Sequence, residues 1–408
     1  RLAGGEDAAS PRYIFTSLQP YARLLFRAQD DPLLEYLQDD GIVIEPVTYV
    51  PIVPTILING AEGVGTGWRT SIPMYNPLDV IESVKAAVTQ SEQKPLIPWY
   101  AGFKGSITME DTRVKTEGIV TDLGNGKVRV TELPVRVWTD DFQERINKLM
   151  VGGAPGGEPA IDFADYNTTQ DTVDITIKFA KQMMNVLKQP DQGGVAKPKT
   201  KVRVDLDKVM MLLHLKSSVS LRNMFAISPS GDVCRYQSPE EIINEFVPVR
   251  RQLYEMRRER EERILRASVL RIENQSRFVE MLATGELVLG NKTKRELEVE
   301  LLKKGFSTKS MLKDDPGMKG ETMLLTEQPL VDPEVKGSES AKEDFEYLLS
   351  QPLYSATLDR RDKLRKQLKE MQDKLTIMQA ISPENIWLEE LEELKQAVEK
   401  YYAGRRLK

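Results

Sequence analysis

The sequence predicts a mixed α+β chain that ends in a long antiparallel helical coiled coil. Two patterns carry that expectation. Between residues 59 and 223, apolar and polar residues alternate in short runs broken by glycine and proline, the period of a half-buried strand. Beyond residue 224 the apolar residues recur at spacings of four and three, the seam of one helix packed on another. With 408 residues, 40% of them hydrophobic and 29% charged, the chain has material for two or three domains with sizeable cores.

Taken in order, residues 1–58 should mix short helices at 20–26 and 32–37 with an extended, proline-interrupted run. Residues 68–73 read as β and end in proline, and Pro77–Val88 reads as a helix. Residues 114–120 and 127–131 alternate on either side of Gly124-Asn125-Gly126, a strand–turn–strand signal, and residues 172–180 offer a further strand. Residues 152–157 and 189–200 should be loops. Asp205-Leu206-Asp207 superficially resembles a paired-carboxylate magnesium site, but without acidic or glycine neighbours it reads as a helix start. Ile242, Phe246, Val249, Leu253 and Met256 form a first seam, in which Pro248 should kink or restart the helix. Leu364, Leu368, Met371, Leu375 and Met378 form a second, and Trp387, Leu391, Leu394, Val398 and Tyr401 a third, expected to pack antiparallel. Residues 305–344, rich in Gly, Pro, Ser, Asp and Lys, read as a flexible insert.

Composition excludes several classes of function. The longest apolar candidate, residues 50–58, is short and holds two prolines, far from the roughly 18 residues of a membrane span, so a soluble protein is expected. The chain opens on Arg1 with neither an initiator Met nor a signal segment and reads as a fragment of a longer polypeptide. One cysteine, Cys234, rules out an internal disulfide and a cysteine zinc cluster and suits a reducing compartment. One histidine, His214, leaves no histidine-based metal site, and no metal ligands are expected in this chain.

The net charge of −5 argues weakly against a general nucleic-acid binder, and residues 1–60 hold four basic against eight acidic side chains. The local distribution matters more. Residues 188–223 carry Lys188, Lys197, Lys199, Lys201, Arg203, Lys208, Lys216 and Arg222 against Asp191, Asp205 and Asp207, a place to concentrate phosphate contact. Lys216, Ser217, Ser218, Ser220, Arg222 and Asn223 are all donors suited to phosphate or sugar oxygens.

Two motifs carry chemistry. Glycines at 60, 63, 65 and 67 are not a P-loop, since no Gly-Lys-Ser/Thr follows, nor a dinucleotide loop, since β-like residues and not a helix come next. They permit close approach of backbone to a bulky polyanion, with Val64 the one large apolar side chain among them. Such a side chain can unstack and kink duplex DNA. Arg12-Tyr13 pairs a permanently charged guanidinium, which forks onto phosphate oxygens, with a hydroxyl nucleophile. The dipeptide alone decides nothing, because Arg235-Tyr236 repeats it and an exposed Arg beside a half-buried Tyr is common.

Ser10-Pro11-Arg12-Tyr13, followed at the observed spacing by the run from Asn59 to Trp68 and then by Arg69-Thr70-Ser71-Ile72-Pro73-Met74-Tyr75-Asn76-Pro77, closely resembles the breakage-and-reunion region of eukaryotic-type, type IIA DNA topoisomerases. The match is dense over residues 1–138 and thinner to 408. It implies the C-terminal part of a winged-helix DNA-cleavage domain at 1–58. It further implies an α/β tower domain with a wedge loop at 59–223, and a coiled-coil stalk with a dimerisation gate at 224–408, residues 345–354 at the gate. The resemblance gives Tyr13 the role of forming a 5′-phosphotyrosyl bond, Arg12 that of supporting the transition state, and Val64 that of an intercalating wedge. It makes His214, Leu215, Lys216, Ser217, Ser218, Val219, Ser220, Leu221, Arg222 and Asn223 a DNA-contacting segment. Implied for the full-length parent are Mg2+ and ATP, bound upstream of this chain, together with double-stranded DNA as partner, a homodimer and the nucleus. Three positions depart from the family pattern: Glu6 in place of lysine, Val64 in place of isoleucine and Arg69 in place of a small residue. The alternative is a non-enzymatic DNA-binding or coiled-coil chromosome protein descended from such an enzyme.

Overall fold

The computed structural model describes residues 2–5, 7–152, 157–187, 203–290, 292–309, 312, 345–350 and 358–406, the side chains of 358–360 and 405–406 excepted. Glu6, residues 153–156 and 188–202, most of 305–344, and Leu353 and Tyr354 therefore lie outside the described residues.

In chain order the elements are α1 (Ala22–Leu25), β1 (Tyr36–Asp39), β2 (Ile42–Pro46), α2 (Thr55–Asn59), β3 (Ala61–Gly65), β4 (Trp68–Ile72) and α3 (Pro77–Val88). Next come β5 (Ser106–Glu110), β6 (Arg113–Glu117), β7 (Ile119–Gly124), β8 (Lys127–Glu132), α4 (Thr139–Val151), β9 (Ile161–Tyr166), β10 (Ile175–Phe179), α5 (Lys181–Leu187) and α6 (Leu206–Leu212). β11 (Lys216–Ser220), β12 (Met224–Ile227) and β13 (Val233–Tyr236) lead into α7 (Pro239–Thr284), α8 (Lys294–Lys303), α9 (Glu346–Leu349), α10 (Leu358–Ala380) and α11 (Pro383–Arg406). The chain forms two compact units. One comprises Arg1–Ala22, Val53–Val247 and Lys395–Lys408, and the other Arg23–Ile52 and Pro248–Leu394.

In the first unit an antiparallel sheet of order β7-β8-β10-β9 buries one face. Val128 and Val130 of β8 and Ile175, Ile177 and Phe179 of β10 alternate inward and meet Phe142 and Ile146 of α4 and Val209 of α6. The β7–β8 turn is the expected one, with Gly124, Asn125 and Gly126 all at positive φ. α3 has the predicted bounds because Asn76 caps Leu78 N–H and Pro77 opens the helix. Asp205 accepts from the N–H groups of Asp207 and Lys208 and caps α6, the helix-start role read from the sequence. The single strand expected at 114–120 is two. Gly118 parts β6 from β7, and a Cβ there would sit 2.4 Å from the Glu132 carbonyl oxygen, so only glycine lets the chain pass from one sheet to the next. β6 instead joins a sheet of order β11-β6-β5.

In the second unit the helix expected at 32–37 gives way to a 3-10 turn at Asp31–Leu33 and then to β1, paired with β2. Asp40 and Gly41 both take positive φ, the two-residue hairpin turn that Asp-Gly favours, and this turn overrides the helical reading. α7 and α10 run antiparallel as expected: Arg365 pairs with Glu280 at 3.1 Å, and Gln379 donates to Glu262 at 3.0 Å. α7 continues through Pro248 without restarting. Its inward positions differ from the predicted seam, since Met256 is exposed while Arg250 and Arg257 are buried beside Leu253 and Tyr254. α11 does not run antiparallel to α7. Arg251 meets Glu384, Tyr254 stacks on Trp387, and Arg257 meets Glu390, so the partners ascend together after the chain reverses at Ile381-Ser382.

The buried arginines close an ionic knot. Arg250 lies 2.7 Å from Asp30 and donates to the Val50 carbonyl, and its guanidinium stacks 4.2 Å over the Tyr254 ring. Glu390 accepts from Tyr254 at 2.6 Å and from Arg257 at 2.9 Å, with Arg27 at 3.3 Å. At the far end of the unit Phe345, Tyr347 and Leu348 are buried against Phe278, Leu287, Leu301, Phe306 and Leu312 of the same chain. The start of the expected insert is thus packed: Phe306 and Leu312 belong to this cluster.

Candidate nucleic-acid interface

Ser10-Pro11 sets up the first component. Pro11 opens a 3-10 turn over Pro11–Tyr13, and Tyr13 N–H donates to the Ser10 carbonyl at 2.9 Å. The turn holds Tyr13 outward with its side chain 72% exposed, and the Arg12 guanidinium carbon lies 5.0 Å from the ring centroid. A hydroxyl and a fixed cation therefore share one exposed point. Upstream, Gly4 takes φ +68° with its α-carbon against the Trp138 indole, where any side chain would collide, and Asp140 N–H donates to Leu2.

The second component is the β3–β4 hairpin. Val64 pairs with Arg69 and Gly65 with Trp68, and Gly67 turns the chain at φ +78°. Val64, one residue before the end of β3, is 82% exposed. Glu62 sits between Arg136 at 2.9 Å and Arg69 at 3.8 Å, so the unexpected Arg69 has a carboxylate partner within its own hairpin. The hairpin is braced from Asn223 and β12: Ser71 N–H donates to the Asn223 carbonyl at 2.8 Å, the Thr70 hydroxyl donates to the Phe225 carbonyl at 2.7 Å, and Trp68 meets Phe225 edge to face.

Asn223 closes the third component, the run from His214 to Asn223. His214 holds φ +54°, and β11 then pairs antiparallel with β6. Leu215, Val219 and Leu221 are buried, so these three of the expected contact residues seat the strand in the core. His214, Ser218 and Arg222 are exposed, and Lys216, Ser217, Ser220 and Asn223 are half-buried. Lys216 bridges Asp207 at 3.0 Å and Glu117 at 3.4 Å, the hydrogen bond to Asp207 chiefly pushing its pKa up. The Arg222 Nε donates to the Thr112 hydroxyl at 3.1 Å. His214 opens on a cleft of about 340 Å³ lined also by Arg136, Asp141, Arg145 and Lys148. Partial burial, with Arg145 adding to it, holds the imidazole below its ordinary 6.5.

Sequence reading missed Arg136, Thr70 and Phe225, which hold the hairpin in place. Nothing marks them locally, because each acts through a partner more than sixty residues away. The structure thus joins the β3–β4 hairpin to the donor-rich strand through Ser71 and Asn223.

Comparison with known proteins decides the family. The family profile for the DNA gyrase/topoisomerase IV A subunit matches residues 1–392. The chain belongs to this family. DNA topoisomerase 2 of Penicillium chrysogenum is 36% identical over 396 residues, covering 96% of this chain and 23% of that protein. The Arabidopsis thaliana DNA topoisomerase 2 is 33% identical, covering 98% and 26%, and Gallus gallus DNA topoisomerase 2-alpha is 34% identical, covering 96% and 24%. The chain spans about a quarter of the length of these curated relatives. Among solved structures, the DNA-binding, cleavage and re-ligation domain of Plasmodium falciparum topoisomerase II matches with a TM-score of 0.75 at 30% identity, covering 99% of this chain and 52% of that one.

Proposed function

We propose that the chain is the breakage-and-reunion part of a type II DNA topoisomerase, which passes one duplex through a transient double-strand break in another. The observation that carries this reading is Tyr13, exposed beside the Arg12 guanidinium in a chain matched almost end to end by proteins named DNA topoisomerase 2. The Tyr13 oxygen attacks a backbone phosphorus, and the bond from phosphorus to the 3′ oxygen breaks. The phenolic proton passes to solvent, the leaving oxygen takes a proton to become a 3′-hydroxyl, and the 5′ phosphate stays esterified to Tyr13. Resealing runs the same exchange backward. Arg12 offsets the negative charge that gathers on the equatorial oxygens. Val64 bends the cut duplex by entering between base steps, while His214, Lys216, Ser217, Ser218, Ser220, Arg222 and Asn223 take backbone oxygens.

The parent is assigned Mg2+, ATP, a homodimeric state and a nuclear location. Residues 1–58, 59–223 and 224–408 are its winged-helix part, tower, and stalk with gate. Among the described residues no three metal-ligating side chains come together, and no step above is routed through a metal or nucleotide. No helix among them is long and apolar enough to cross a membrane.

The test is Tyr13→Phe in the full-length parent. Duplex binding should persist while the covalent protein–DNA adduct disappears. An adduct that survives in this variant and maps to another tyrosine, such as Tyr21 or Tyr49, overturns the assignment. The relatives do not favour the non-enzymatic alternative, which requires that the unaltered parent form no adduct at all.

A further inference from the structure

The charges of the two antiparallel stalk helices are arranged differently. On α7 several arginines are matched: Arg251 by Glu255 and Glu384, Arg257 by Glu261 and Glu390, Arg266 by Glu262, and Arg277 by the Lys304 carbonyl. On α10, Arg361, Lys363, Arg365, Lys366 and Lys369 fall within nine residues that hold one carboxylate, Asp362. Arg365 pairs with Glu280, whereas the other four have no ion-pair partner among the described residues. The apolar edge of the helix, Leu364, Leu368 and Met371, is its more buried side, while Lys363, Lys366 and Lys369 are exposed. Lys363 with Lys366, and Lys366 with Lys369, stand three residues apart, where like charges repel across a helix turn. No ion pair among the described residues relieves that repulsion, and the chain as a whole is acidic, with a net charge of −5.

A row of unpaired cations spanning ~9 Å of helix fits a rigid polyanion whose charges recur every ~1.7 Å of axis. We propose that the exposed face of α10 formed by Lys363, Lys366 and Lys369 binds the backbone of the second, transported DNA duplex. This rests on the strand-passage reading above, which supplies the second duplex. The contact is electrostatic and independent of base sequence, as a surface must be that meets any duplex and then lets it go.

The experiment uses the full-length parent, first saturated with an unlabelled cleavage-site duplex and then titrated with a fluorescent second duplex over a range of salt. Replacing all three lysines by glutamine should weaken second-duplex binding at low salt by on the order of a hundredfold. It should also flatten the plot of log affinity against log salt by about 3. Plasmid relaxation should fall, while cleavage of the first duplex should be unchanged. If the triple variant does not fold, Lys366→Gln with Lys369→Gln should still lower the slope by about 2, and Lys366→Arg with Lys369→Arg should restore it. An unchanged slope overturns the proposal. So does tighter second-duplex binding in the glutamine variant, which would mean that an acidic part of the same protein covers this face. Failure of the unaltered parent to cleave the first duplex would instead sink the topoisomerase reading.

Discussion

Arg12 and Tyr13 separate by chemistry. Arg12→Ala keeps the nucleophile and removes a contact strongest in the transition state, so cleavage by the full-length parent should slow by a factor of about a hundred or more, ~2.7–4 kcal/mol if it acts like one oxyanion donor. Single-turnover cleavage checks this, and a rate within a few fold of the parent would remove Arg12 from the chemistry. His214 makes a prediction about pH. With its pKa held below 6.5, the folded state takes up a proton less readily than the unfolded chain, so stability should decline as pH falls through 6.5. Bound phosphate should draw the midpoint back up, and NMR titration of this single histidine with and without duplex reads both effects. The Asp30–Arg250 pair is governed by burial, which raises the Asp30 carboxyl above its ordinary value even with two arginines beside it. Asp30→Ala or Arg250→Met alone should cost about 3–5 kcal/mol by stranding a buried charge, and the double variant less than either. Denaturant melts of the four proteins decide it.

Whole elements show where local sequence suffices. α3 and the β7–β8 turn are legible because their determinants, Asn76-Pro77 and Gly124-Asn125-Gly126, lie within a few residues of what they control. Arg12, Tyr13 and Val64 were legible as motifs, and the structure places all three on the surface. Leu215, Val219 and Leu221 were not separated from their donor neighbours, although their even spacing is that of an inward strand face. The break at Gly118 was illegible because what forbids a side chain there is a carbonyl fourteen residues on. Gly118→Ala should therefore cost about 1–3 kcal/mol, read as a lowered melting temperature, since backbone and not a pliant side chain must yield. Val64→Ala leaves the hairpin intact and removes about two methylene equivalents from the wedge. The bent complex, measured by fluorescence transfer between duplex ends, should fall about tenfold while chemistry on pre-bent DNA continues.

At the scale of the molecule, a homodimer cannot rest on Phe345, Tyr347 and Leu348, which their own chain covers. Among the described residues, Val288, 56% exposed, and Val299, 46% exposed, leave apolar side chains in water on the segments that pack against them. Val288→Asp with Val299→Asp should shift the proposed homodimer toward monomer in sedimentation at micromolar concentration, and an unchanged dimer would place the contact elsewhere. The ionic knot has a consequence in time. Its members Asp30 and Glu390 are separated by 360 residues of sequence, so at ~5–20 residues per second a ribosome needs roughly 20–70 s to go from the first carboxylate to the last. Throughout that interval Asp30 and its arginines cannot all be withdrawn from water with their charges matched. The second unit therefore has to wait, open, for the end of its own translation, and a nascent chain stalled before Pro383 should be as sensitive to protease as an unfolded one.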